Sequence, residues 1–210
     1  MNSKKNKQNE KTTKKDIQSA IKLALKKGNW IIRADNDGVS ANENASGFKW
    51  APLGEWTEAP DWDDSPECGH GLHGQDKTHG GTIFGTRLVF CDTDGQHVPI
   101  DRDKVKVRRA RILMINELPA GLRVSGALDL SHTKVSELPT GLRVGGYLDL
   151  SYTKVKELPP GLRVGGGLYL IGTKVSELPP GLRVGGGLDL YGTKVSELPP
   201  DLEVKGEIYR

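Results

Sequence analysis

LPPGLRVGGGLDLYGTKVSE, residues 178–197, decides the fold of this chain. Within it Leu182, Val184, Gly186, Leu188 and Leu190 alternate with Arg183, Gly185, Gly187 and Asp189. A period of two marks extended chain with one buried face. Thr193, Val195 and Leu198 carry the inward set around a turn, and Pro199-Pro200 interrupts the chain before the next unit. A single unit has nothing to bury its apolar row against. Units stacked ~4.8 Å apart do, because each backbone pairs with the one above and below and like side chains form ladders.

Outward from that stretch, the same unit recurs as LPAGLRVSGALDLSHTKVSE from Leu118, LPTGLRVGGYLDLSYTKVKE from Leu138 and LPPGLRVGGGLYLIGTKVSE from Leu158. A fifth, altered copy, LPPDLEVKGEIYR, starts at Leu198, so the period is twenty residues without a slip. Residues 118–210 are therefore expected to form a repeat solenoid whose last copy is a cap. The pairs Gly145-Gly146, Gly165-Gly166 and Gly185-Gly186 mark a corner where a Cβ would crowd. In the last copy Asp201, Glu203, Lys205 and Glu207 stand where the copy before has Gly181, Arg183, Gly185 and Gly187. Charge at a terminal edge keeps foreign strands from adding to it.

The unit resembles a bacterial-type leucine-rich repeat, L-x-x-L-x-L-x-x-N-x-L followed by a Leu-Pro segment. Leu188, Leu190, Thr193 and Val195 match the last four positions and Leu178-Pro179 the Leu-Pro segment. Gly185 stands at the first Leu and Thr193 at the Asn. The extra alternation at Leu182 and Val184 suits a flatter β-helix with two strands per coil. Both architectures, a leucine-rich-repeat-like solenoid and a two-strand β-helix, stay open at this point.

The rest of the chain divides by composition. Residues 1–12 are polar and Lys-rich, read as a disordered tail. Ile17, Ala20, Ile21, Ala24 and Leu25 form one apolar stripe, which predicts an amphipathic helix over 13–28. Thr13 with Asp16 makes its capping box and Gly28 its stop. The narrow stripe is expected to dock on the next domain. Residues 29–117 read as a small β-rich domain, with strands at 30–34, 82–91 and 104–113 and a turn at 92–95. Strand 104–113 runs into Leu118 and is expected to cap the first coil. Residues 48–82 show little periodicity, and an irregular segment this long is usually functional or pinned. The fold class is mainly β with one short helix: a small β-rich N-terminal domain followed by the solenoid.

Part of this middle domain resembles a small uncharacterised domain of phage and bacterial proteins. The match rests on Trp62, Pro66, Cys68-Gly69, Gly71-Leu72-His73-Gly74 and Lys104-Val105-Lys106-Val107, within residues 48–113. The resemblance implies a phage or prophage setting and carries over no activity.

Charge is segregated. Residues 1–28 hold nine Lys and two acids, residues 29–117 have a net of −5, and residues 118–210 a net of +1. No secretory signal opens the chain and no window is apolar enough for a membrane span, so a cytoplasmic protein, including host cytoplasm, is expected. Two cysteines, Cys68 and Cys91, make no disulfide framework.

Three features are candidates for function. The outward positions of the second strand carry Tyr147, Tyr169, Ile171 and Tyr191 with Asp129, Asp149 and Asp189. Tyrosine and acid on a rigid surface suit a protein partner. Cys68, His70, His73 and His79 are of the types that bind zinc, although their spacing is short, and a ligand site or enzyme could equally be built there. The Lys-rich tail is a candidate for nucleic acid. Five basic residues within 104–111 read as a protected edge strand, and the row Arg123, Arg143, Arg163, Arg183 as a charge lattice neutralised by Glu137, Glu157, Glu177 and Glu197. The resulting expectation is a non-enzymatic protein-binding module with no obligatory cofactor.

Overall fold

The computed structural model describes residues 12–36, 48–67, 71–81 and 85–210. The helix α1 spans Lys14–Lys27. Its capping box forms as the sequence predicts: the Asp16 N–H donates to the Thr13 hydroxyl, and the Thr13 N–H returns to Asp16 Oδ2 at 2.9 Å. Gly28 ends it in the left-handed region at φ 74°. Ala20, Ile21 and Ala24 are buried, so the stripe docks on the β domain.

Two antiparallel sheets follow. The first orders β1 (Trp30–Asp35), β4 (Arg87–Thr93), β7 (Arg109–Ile115) and β2 (Trp56–Glu58) as β1-β4-β7-β2. The second orders β3 (Leu72–Gly74), β6 (Val105–Val107) and β5 (Val98–Pro99) as β3-β6-β5. The strand expected at 104–113 is two strands in different sheets, divided at the exposed Arg108. The strand expected from residue 82 begins at Arg87; residues 82–84 lie outside the described residues. β2 and β3 fall in the segment without periodicity, because three residues are too few to show alternation.

The solenoid resolves the open architectural question. Each coil gives one short strand to each of two parallel sheets. The first holds β8 (Arg123–Val124), β10 (Arg143–Val144), β12 (Arg163–Val164), β14 (Arg183–Val184) and β16 (Glu203–Val204). The second holds β9 (Leu128–Asp129), β11 (Leu148–Asp149), β13 (Leu168–Tyr169), β15 (Leu188–Asp189) and β17 (Ile208–Tyr209). Registers step by one repeat, as in Val144↔Val164 and Leu148↔Leu168. Between coils the Gly145 N–H donates to Val124 O at 2.8 Å and the Leu148 N–H to Gly167 O at 2.9 Å. The Thr row closes a turn inside each coil: Thr133, Thr153 and Thr173 donate their hydroxyls to the carbonyls of Leu130, Leu150 and Leu170. The glycine corner is as tight as expected, since a Cβ on Gly165 would lie 2.1 Å from Gly145 O.

One apolar core runs from Ala20 and Ile21 of α1 through Trp30, Leu88, Phe90 and Leu113 into the ladders that end at Leu188 and Leu190. The backbone of the first coil pairs with Lys77 and Thr86, and strand 104–113 adds only Leu113 to the core they share. The Ser125 N–H donates to Lys77 O and the Lys134 N–H to Thr86 O. Backbone carbonyls of an irregular segment leave no pattern in a sequence, so this pairing is visible only in the fold.

Candidate binding surface

The second sheet carries outward positions that grow more exposed toward the last coils, from buried Asp129 and Ser151 to exposed Tyr169 and Tyr191, and builds them on turns fixed by aspartate. Asp129, Asp149 and Asp189 accept the N–H groups of Ser131, Ser151 and Tyr191 through Oδ1 at 2.8–2.9 Å. The acids thus hold local turns, and Asp129 is buried. The tyrosines do the projecting. Tyr169 and Tyr191 are exposed, Tyr147 and Ile171 half-buried. Tyr147 meets Tyr169 edge to face with ring centroids 6.1 Å apart. The Tyr169 ring lies beside Gly167 and that of Tyr209 beside Gly187, where missing side chains leave room. Burial and then the neighbouring Asp129 raise the Tyr147 phenol above its ordinary value.

The surface is larger than the sequence reading assigned. Tyr209 continues the row Asp129, Asp149, Tyr169, Asp189, and its hydroxyl donates to Glu207 Oε2 at 2.5 Å. Tyr152 is exposed and stacks on His132 at 4.8 Å. Both members of that pair sit at positive φ, in the row where the later coils have Gly172 and Gly192. The available signal was simple. All five tyrosines of the chain fall within three residues of a strand of this one sheet: Tyr169 and Tyr209 in it, Tyr147 just before it and Tyr152 and Tyr191 just after.

The first sheet presents the arginine row. Arg123, Arg143, Arg163 and Arg183 are exposed and stand in register on neighbouring strands. Beside them runs a trough floored by Ser125, Gly145, Gly165 and Gly185 and ending at Glu203 and Lys205. Arg183 pairs with Glu203 at 3.1 Å. Among the described residues the other three arginines make no ion pair, and the Glu137 row does not reach them.

No protein family, curated protein or solved structure matches this chain. Its function rests on its own geometry.

Of the proposed zinc residues, Cys68 and His70 lie outside the described residues. His73 sits in β3 opposite Lys106, with its carbonyl accepting from Arg33 Nη1 at 3.2 Å. His79 is held by Asp76, Nδ1 to Oδ1 at 3.0 Å, and His97 joins from the other side, Nδ1 to Oδ2 at 3.1 Å. No three His, Cys, Asp or Glu among the described residues group as metal ligands. Burial pushes the Asp76 carboxyl up, but the bonds from His97 and from the His79 and Thr78 N–H groups outweigh it and hold it well below the usual range. His97 Nε2 also lies 2.9 Å from Thr93 Oγ1. This hydroxyl–imidazole–carboxylate chain has the contact order of a nucleophilic triad, yet Thr93 is buried and its oxygen takes the Gly95 N–H at 3.3 Å. The group acts as a clamp. It fixes the segment at Lys77 that caps the first coil.

The irregular segment is pinned by a buried lysine. Lys106 has no exposed surface, donates to Asp63 Oδ1 at 2.6 Å and to Glu67 O at 3.3 Å, and faces the Trp62 ring at 5.7 Å. The basic run 104–111 is neutralised within the domain: Lys104 by Asp101, Arg108 by Glu58 and Arg111 by Asp92, with Arg109 over Trp56. No helix among the described residues is long and apolar enough to cross a membrane.

Proposed function

We propose that this protein is a non-enzymatic binding module that presents the tyrosine face of its solenoid to a protein partner. One observation carries the reading: five tyrosines, four of them exposed, lie on or beside one short parallel sheet whose backbone is fixed by ladders and aspartate turns. Tyrosine supplies large contact area with few rotors to freeze, and the framework beneath it leaves little ordering cost at binding. Tyr147, Tyr169, Ile171 and Tyr191 are the contacts first assigned, and Tyr152 and Tyr209 extend them. Asp129, Asp149 and Asp189 serve by holding the turns. On the resemblance of residues 48–113 alone, the proposal sets the protein in a phage or prophage context.

Peptides selected by display against the immobilised full chain test the proposal. Replacing Tyr147, Tyr169, Ile171 and Tyr191 together with Ser should weaken the selected peptides at least about tenfold, a loss of ~1.4 kcal/mol. The melting temperature should move by only a few degrees. A folded variant that binds them as the parent does rules the face out, and one that cannot fold makes these residues core. Stoichiometric zinc in the purified protein would favour the other reading, a site built from Cys68, His70, His73 and His79.

A further inference from the structure

We propose that the row Arg123, Arg143, Arg163 and Arg183 is a docking track for the phosphodiester backbone of a single-stranded nucleic acid. This surface lies on the first sheet, apart from the tyrosine face, and does not involve the Lys-rich tail.

The row is an arrangement that stability alone disfavours. Parallel pairing sets each arginine directly beside the next, as Arg123↔Arg143, Arg143↔Arg163 and Arg163↔Arg183. Like charges at directly paired positions repel. In the β domain Arg87, Lys104, Lys106, Arg108 and Arg111 each meet an acid. Of the arginine row only Arg183 does so among the described residues, through Glu203 at its end. The arginine is kept in all four copies, while the outward rows Ala127, Tyr147, Gly167 and Ser131, Ser151, Ile171, Tyr191 vary.

The shape of the face selects the ligand. With strands ~4.8 Å apart, four arginines form a straight line of about 14 Å, one side chain wide. Such a line follows one strand and not the two phosphate rows of a duplex. The trough beside it is floored by Ser125, Gly145, Gly165 and Gly185 and is free of carboxylates until Glu203. Guanidinium forks bind phosphate in pairs of hydrogen bonds. No aromatic side chain lines the trough, so bases find no stacking platform there and recognition is confined to the backbone.

Fluorescence anisotropy of labelled (dT)20 with the full chain, over a salt series, tests the proposal. Wild type should bind, with affinity falling linearly on a log–log plot. Arg123→Gln/Arg143→Gln/Arg163→Gln, which leaves the Arg183–Glu203 pair intact, should lose at least about tenfold at low salt. Its slope should be shallower by about 2, the release expected for three phosphates on a single strand. The Arg→Lys triple variant should keep the slope. Replacing Lys4, Lys5, Lys7 and Lys11 with Gln should leave the contribution of the row unchanged. Should the triple Gln variant fail to fold, Arg143→Gln alone should still reduce the slope by about 0.7. The proposal is overturned by wild type that does not bind (dT)20, by an unchanged slope in these arginine variants, or by poly-glutamate competing as well as (dT)20 at equal charge.

Discussion

Lys106 brings an ammonium into the protein with no surface exposed, and Asp63 answers it at 2.6 Å. That bond, and after it the Ser65 hydroxyl, hold the Asp63 carboxyl down from its ordinary 3.8 to about 2. Asp76 is held low as well, by the histidine and backbone donors of its clamp. A carboxylate whose folded value is depressed adds stability above its unfolded value and loses it as pH falls toward the folded one. Urea midpoints should therefore drop between about pH 4 and about pH 2, and Asp63→Asn should flatten part of that drop. Lys106→Ala should cost about 3 kcal/mol by removing the buried partner, and Lys106→Met less, because the methionine refills the volume. A midpoint that ignores pH across this range removes Asp63 as the anchor of the irregular segment. None of this was readable in advance. The sequence marks residues 48–82 as pinned by something, but a lysine inside the alternating run at 104–107 looks like any edge cation until β6 is seen at the centre of its sheet.

At the scale of the element, the glycine row decides how closely coils stack. Two glycines of one coil, four residues apart, separate sterics from backbone freedom. Gly161 has φ 69° with open space around its missing Cβ, so Gly161→Ala should cost only about 1 kcal/mol of left-handed strain. Gly165 would drive its Cβ to 2.1 Å from the Gly145 carbonyl oxygen, and backbone cannot yield as a side-chain tip does. Gly165→Ala should cost about 3 kcal/mol or more, lowering the melting temperature by several degrees beyond the Gly161 variant. Equal melting temperatures would mean the coils part easily there. This part of the fold was legible because alternation at 182–190 and the twenty-residue period belong to the chain itself. Whether the alternation made one sheet or two depended on pairing between coils, which only the register of Val144 with Val164 and Leu148 with Leu168 decides. The same limit hid the arginine row. The sequence holds as many repeated glutamates as arginines, and only the geometry leaves Arg123, Arg143 and Arg163 without them. Tyr152 and Tyr209 were passed over because each stands in a row whose other members are mostly glycine or aspartate.

The whole molecule is graded along its length. Its apolar core is continuous from α1 to Leu190, yet within the solenoid each coil touches only its neighbours, so stability is a sum of coil and interface terms. The first coil rests on the β domain through the Lys77 and Thr86 carbonyls and through the apolar cluster that holds both Leu113 and Leu118. The fifth copy has one neighbour within the repeat. Ile208 is 39% and Tyr209 54% exposed, where the matching Leu188 is fully buried. Local opening follows such differences in burial. Hydrogen exchange should thus grow faster toward the fifth copy. The Lys205 and Gly206 amides, bonded to Val184 and Gly186, should exchange with the Leu188 amide, whose acceptor is Glu207. The Gly145 and Leu148 amides should be protected longest, because opening them breaks core on both sides. The Asp201 bond to the Gly181 N–H at 2.8 Å gives a handle on the gradient, since Asp201→Ala should speed exchange in the fifth copy and leave Gly145 alone. Uniform protection across all coils would mean that the solenoid opens only as a whole, with the last copy sharing the stability of the core instead of fraying from it.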